Sequence, residues 1–560
     1  MTPAVAARGL GCTYAGAETP ALRDVDCVVP AGALAVVMGR SRAGKSTLAR
    51  CLTRIVPCFV AGDVTGEITL LGESTGERRV GELAGTIGMV FQDFEAQLFS
   101  TDVTQEVVFG LEHTGVPPAD MPGRVSGALA AVGLAGFAGR DPTTLSGGEK
   151  QRLAIAGLLA LRPPIMVFDE PTTDLDPVGR ADVLETLARL RAEGVTLVVI
   201  EHDTAAAVDA DALLMLSDGR VVAQGAPRAL LADVATCTAA GVRPPDTARV
   251  FAALGLPDAP LDVTAAAERL RAHGVVPVPR DDPARAERAG GPPLVEVRDL
   301  HHRYPDGHEA LAGVNLALHA GEFVALIGRN GSGKTTLAKH LNGLLTPTAG
   351  HALVGGRSVR ELSLAQLAQT VGYVFQDPDH QLFAATVVDE VAFGPRNLGL
   401  PAAEVSARVA EALAAVDLHE RDVDPFVLDK GARQRLAVAA VLALRPDVLV
   451  LDEPTTGLDF PEQQQIMELL RRLHGTGRTI VIITHTPWVI AEYAERVVLL
   501  ADGRLRYDGP LRPFFADDAL VAAAAFRPPD VTRLGRLLGC TPLSVEELVS
   551  WIPARAAAWR

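Results

Sequence analysis

The sequence predicts an α/β protein built as two tandem copies of one domain. Three observations carry this. An octapeptide, Gly328-Arg329-Asn330-Gly331-Ser332-Gly333-Lys334-Thr335, fits G-x-x-x-x-G-K-[ST] between an apolar run (Phe323 to Ile327) and a helix-forming stretch (Thr336 to Leu341). A second, Gly39-Arg40-Ser41-Arg42-Ala43-Gly44-Lys45-Ser46, follows the apolar run Leu34 to Met38. Acidic pairs close further apolar runs downstream, Asp169-Glu170 after Ile165 to Phe168 and Asp452-Glu453 after Val448 to Leu451. Such alternation of strands and helices fits a mainly parallel sheet with ligands at the strand C-terminal ends.

The loops come first. Gly39, Gly44, Gly328, Gly331 and Gly333 let the backbone approach phosphates closely, and successive N–H groups point at the anion. Arg40, Ser41, Thr47, Asn330 and Thr336 complete the predicted cradles, and the following helix adds its positive end. Lys45 and Lys334 reach the terminal phosphates, and the Ser46 and Thr335 hydroxyls are placed to hold magnesium.

The chain is a duplication. Lys45 and Lys334 are 334 − 45 = 289 residues apart, and Tyr14 and Tyr304 are 304 − 14 = 290 apart. Phe91-Gln92-Asp93 recurs as Phe375-Gln376-Asp377, Gln151-Arg152-Leu153-Ala154 as Gln434-Arg435-Leu436-Ala437, His202 as His485, and Arg243-Pro244-Pro245-Asp246 as Arg527-Pro528-Pro529-Asp530. Ordered matches at nearly one offset set the organisation. A first core spans 1–235 with an extension over 236–275. A Pro-, Gly- and charge-rich linker covers 276–293, then a second core spans 294–515 and its extension 516–560.

Composition limits the function classes. A length of 560 residues exceeds one ordinary core, and 48% apolar residues fit a folded chain. Mean hydropathy is +0.21. A net charge of −16 argues against a nucleic-acid partner. The six cysteines form no C-x-x-C pair and read as free thiols in a reducing compartment. No basic-then-apolar leader opens the sequence, and no apolar run has bilayer-spanning length. A cytosolic chain is expected, touching a membrane only through partners.

A lone Asp-Glu pair is usually a solvated surface pair. Here each pair closes an apolar strand downstream of a phosphate loop. Asp169 and Asp452 are therefore assigned to magnesium, Glu170 and Glu453 to polarising an attacking water. Leu145-Ser146-Gly147-Gly148-Glu149-Lys150-Gln151-Arg152 opens a predicted helix, where Ser146, Gly147 and Gly148 form another anion cradle.

This last stretch resembles the signature motif of ATP-binding-cassette (ABC) ATPases. The resemblance covers nearly the whole chain. It implies a RecA-like core, a helical signature subdomain and a short C-terminal extension in each half, with ATP and Mg2+ as ligands. It assigns Tyr14 and Tyr304 to adenine stacking, Gln92 and Gln376 to the Q-loop at ATP and metal, and His202 and His485 to the γ-phosphate. Thr173-Asp174-Leu175-Asp176 and Thr456-Gly457-Leu458-Asp459 match the D-loops.

The stretches Asp377-Pro378-Asp379-His380-Gln381-Leu382-Phe383 and Asp93-Phe94-Glu95-Ala96-Gln97-Leu98-Phe99 look like the ATPase subunits of energy-coupling factor (ECF) importers. That family implies a coupling subunit and a substrate-specificity subunit in the membrane, at the cytoplasmic face of a bacterial inner membrane. It also implies that the two cassettes pair head to tail within one chain, each phosphate loop facing the other half's signature. Vitamins and transition-metal cations are the expected cargo classes. Two rivals are a soluble ribosome-acting two-cassette protein, against which the short linker speaks, and the fused ATPase of a conventional ABC transporter.

The halves differ. The second signature reads Leu428-Asp429-Lys430-Gly431, with Asp429 for the serine and Lys430 for the first glycine. The first phosphate loop carries Arg42 and Ala43 where the second has Gly331 and Ser332. The expectation is one degenerate site with Lys45, Ser46, Asp169, Glu170 and His202. The consensus site, with Lys334, Thr335, Asp452, Glu453 and His485, is expected to do most of the hydrolysis.

Overall fold

A computed structural model describes residues 2–173, 175, 177–280 and 291–553, with the side chains of residues 177 and 178 set aside. Asp174 and Asp176 of the first predicted D-loop, and most of the linker, lie outside the described residues. Two compact units are present. One is Met1–Ala252 with Leu256–Leu261 and Asp459–Pro461; the other is Ala253–Gly255, Asp262–Leu458 and Glu462–Arg560.

In the first unit a six-stranded sheet has the order Arg220–Gly225, Ala212–Ser217, Leu34–Gly39, Thr196–Ile200, Ile165–Asp169, Ile87–Val90. All neighbours pair parallel except the first two, which are antiparallel. The central strands are buried almost throughout and apolar apart from the terminal Thr196 and Asp169, because both faces are covered. One face packs on the phosphate-loop helix Lys45–Leu52 and an antiparallel sheet holding Val5–Tyr14. The other packs on the helices Val103–His113, Met121–Ala131 and Gly147–Leu161.

The second unit repeats this plan. Its six-stranded sheet runs Val371–Val374, Val448–Asp452, Thr479–Ile483, Phe323–Ile327, Arg496–Ala501, Arg504–Pro510. The helices Val387–Asn397, Ala402–Ala415 and Lys430–Leu442 pack together as its helical part. In both sheets the loop-bearing strand lies beside the strand that follows the acidic pair. This brings the loop and the carboxylates to one edge of the sheet.

The extension helices start where the repeated Arg-Pro-Pro-Asp falls. Asp246 and Asp530 open Asp246–Ala253 and Asp530–Leu537, and each pairs with the arginine three residues earlier, at 3.0 Å (Arg243) and 3.6 Å (Arg527). Within the second unit Val263–Ala272 packs on Asp530–Leu537, and the Arg271 guanidinium donates to the Leu537 carbonyl. The Val278 N–H donates to the Trp551 carbonyl at 2.8 Å. Among the described residues no helix is long and apolar enough to cross a membrane.

Candidate functional site: two phosphate loops facing two acidic pairs

The loop glycines are fixed by space. Gly39 has φ 149° and Gly328 φ 146°, and a Cβ on either would sit 2.1 Å from a carbonyl oxygen, that of Leu216 or Leu500. Only glycine lets the loop leave the strand there. Arg42 takes φ 61° where Gly331 takes 76°, so the first loop holds a non-glycine residue in the left-handed region.

Each loop lysine turns back over its own loop. Lys45 Nζ donates to the Gly39 and Arg40 carbonyls at 2.9 Å each. Lys334 Nζ donates to Gly328 and Arg329 at 2.7 and 3.0 Å. Both lysines are nearly buried. Ser46 Oγ donates to Asp169 Oδ1 at 3.0 Å, and Thr335 Oγ1 to Asp452 Oδ2 at 2.9 Å. A hydroxyl and a carboxylate so placed are the hard oxygen donors that suit Mg2+, so the residues fit the ion. Tyr14 and Tyr304 hydroxyls lie 3.1 Å from Thr47 Oγ1 and Thr336 Oγ1, tying each predicted adenine-stacking ring to its loop helix.

The two glutamates share a backbone and differ in their contacts. Glu170 and Glu453 both have positive φ, 52° and 46°, and each N–H continues the strand ladder, to Ile200 and Ile483. Non-glycine residues in this region mark strain of the kind found at functional sites. Glu170 Oε2 accepts from Gln92 at 2.9 Å and Thr173 at 3.3 Å, and Oε1 lies 2.8 Å from His202 Nε2. Burial alone would raise its pKa. The His202, Lys45 and Thr173 contacts outweigh that and hold it below the usual carboxylate range.

Glu453 is less satisfied. Thr456 Oγ1 and the His485 N–H reach its Oε2 at 3.4 Å. Oε1 is buried and accepts no hydrogen bond from the described residues, although His485 Nε2 stands 3.3 Å away. Burial, with the Asp452 charge adding to it, pushes this carboxyl up to about 8. Asp169 is pushed up to about 6, chiefly by burial. Both Q-loop glutamines are exposed, and Gln92 donates to Glu170.

The signatures also differ. Ser146 caps Gly147–Leu161 in a reciprocal box: its Oγ accepts from the Glu149 N–H at 3.3 Å, and Glu149 accepts from the Ser146 N–H at 2.7 Å. Ser146 and Gly147 are exposed, with open space where a Gly147 Cβ would lie. Asp429 keeps the capping role, accepting from the Ala432 N–H at 2.6 Å. Lys430 folds onto the Thr456-Gly457 turn, where a Gly457 Cβ would lie 2.2 Å from its Nζ.

Sequence reasoning missed several partners. Tyr373 donates to Asp452 Oδ2 at 2.8 Å from 79 residues away. In the first unit Glu201, beside His202, is buried and accepts from Thr172 at 2.6 Å, and Asp203 pairs with Arg180 at 2.5 Å. The acids flanking His202 were visible signals, since Thr484 and Thr486 flank His485 instead.

A family profile described as ABC transporter matches residues 22–173 and 311–456. The chain is 44% identical over 543 residues to a protein of Caldanaerobacter subterraneus subsp. tengcongensis named for an ABC transporter ATP-binding role, covering 95% of each chain. A similarly named protein of Methanosarcina acetivorans is 40% identical, covering 99% of this chain and 94% of its own. The solved structure of cbiO1 from Clostridium perfringens, titled as part of the ABC transporter complex cbiONQ, is 36% identical and covers 44% of this chain and 100% of its own, with a TM-score of 0.39. With two cassettes, two phosphate loops and two strand-end acidic pairs, the chain belongs to the ABC transporter family as an ATP-binding protein.

Proposed function

We propose that the chain is the ATP-hydrolysing, energy-coupling subunit of an ECF-type importer for a vitamin or a transition-metal cation, with turnover concentrated at the second cassette. The observation that supports the unequal division is the contrast between the glutamates. Glu170 is held by Gln92, Thr173 and His202, while Glu453 keeps a buried oxygen that accepts no hydrogen bond among the described residues. An unpartnered carboxyl oxygen can meet an attacking water, and a carboxyl raised to about 8 is the stronger base once it has ionised; one already paired must first be released.

In this reading the second loop's N–H groups and Lys334 bind the β- and γ-phosphates, and Thr335 and Asp452 hold Mg2+. The ion would neutralise charge on the phosphates. Glu453 orients a water and takes its proton as the oxygen bonds to the γ-phosphorus. The bond from that phosphorus to the bridging oxygen breaks, leaving ADP and phosphate. His485 stands beside Glu453 to contact the γ-phosphate.

The membrane role draws on the surface just past each Q-loop. Phe383 and Phe393 are 61% and 47% exposed and stack edge to face at 4.7 Å; Phe99 and Phe109 repeat this at 62%, 41% and 4.6 Å. Paired exposed aromatics suit an apolar protein partner. Affinity purification of the full chain from detergent-solubilised membranes tests the assignment. Two integral-membrane subunits without a periplasmic binding protein are the expected companions. Co-purifying ribosomes, or a periplasmic-binding-protein system, would overturn it.

A further inference from the structure

Met89 and Tyr373 occupy matching places, each two residues before the Phe-Gln of its half. Tyr373 is 8% exposed and packs edge to face on Phe375 at 5.1 Å. In the strand register it pairs with Val450, which puts it on the face of the neighbouring strand that also carries Asp452. Its hydroxyl and that of Thr335 donate to the same Asp452 oxygen, at 2.8 and 2.9 Å. Asp169 has the Ser46 donor, but the position matching Tyr373 holds Met89, whose thioether has no proton to donate.

We infer that Tyr373 is a positioning residue for Asp452, setting the divalent-cation site of the second cassette and absent from the first. A carboxylate rotates easily about its last torsion. Two donors on Oδ2 fix that rotation, so Oδ1 is presented in one orientation when the ion arrives. Among the described residues the first cassette shows no second donor to its aspartate, which is less constrained. This rests on the assignment of Asp452 to the cation given above.

The test uses the full chain with Asp169→Asn, so that one cation site remains. Mn2+ binding is followed by electron paramagnetic resonance with a non-hydrolysable ATP analogue, and analogue binding alone is measured in EDTA. Tyr373→Phe and Tyr373→Met are each expected to weaken Mn2+ by about tenfold, with metal-free analogue binding unchanged. Without the Asp169 substitution, the Mg2+ needed for half-maximal ATPase should rise by a similar factor while kcat at saturating Mg2+ stays within about twofold. If Asp452→Asn abolishes Mn2+ binding but both Tyr373 variants bind like the parent, the positioning role is overturned and the Asp452 assignment stands. If Asp452→Asn also binds Mn2+ like the parent, the assignment fails and the inference with it.

Discussion

His202 Nε2 lies 2.8 Å from Glu170 Oε1, a contact that closes the first acidic pair around its own partners. Replacing His202 with alanine leaves a buried carboxylate short of a charge-assisted hydrogen bond. Destabilisation of about 1–3 kcal/mol is expected by denaturant titration. His485→Ala removes a looser 3.3 Å contact and should destabilise less.

Gly328→Ala should abolish nucleotide binding at the second loop. The added methyl would sit 2.1 Å from the Leu500 carbonyl, on a backbone with φ 146°. Loss of fluorescent-ATP binding to that cassette, with destabilisation of about 2 kcal/mol or more, is the expected outcome.

His340 gives a pH signature. It lies fully buried in the helix after the second loop, with its Nδ1 2.7 Å from the Thr336 carbonyl. The His302 ring is 4.7 Å away, and the Thr346 backbone also faces it. Burial, with His302 adding to it, holds the His340 pKa below its ordinary 6.5. The folded state therefore binds its proton less readily than the unfolded chain. Its penalty is absent above the unfolded pKa and grows as pH falls from there toward the folded value. Cys51 stands at the matching place in the first half. His340→Cys should shrink the loss of Tm between about pH 7.5 and about pH 5.5, read by calorimetry under reductant.

Phe383→Ser combined with Phe99→Ser should leave the ATPase rate and stability of the isolated chain nearly unchanged, within about 0.5 kcal/mol. Recovery of membrane subunits in the pull-down should fall sharply. Full recovery would place the partner surface elsewhere.

The parts that were legible in the sequence are local. The phosphate loops, the strand-end acids and the capping residue Ser146 each act within a few residues of their motif. The tyrosine-to-loop contacts, Tyr14 with Thr47 and Tyr304 with Thr336, recur at the same 3.1 Å although their sequence spacings, 33 and 32 residues, differ by one. What was not legible depends on strand register and side-chain reach. Tyr373 meets Asp452 only because Val371–Val374 and Val448–Asp452 are neighbours in the sheet. Lys430 reads as bulk beside a phosphate until its fold onto Gly457 is seen, and Asp429 turns out to keep the cap that a serine would supply. The unequal satisfaction of Glu170 and Glu453 has no sequence signal at all, since both lie in the same Asp-Glu-Pro-Thr-Thr.

The central claim is that the second cassette carries most of the turnover. Comparing the steady-state ATPase of Glu453→Gln and Glu170→Gln in the full chain tests it most directly. Glu453→Gln should lose nearly all activity, on the order of a hundredfold or more, and Glu170→Gln should retain most of it. Equal losses in the two variants would contradict it.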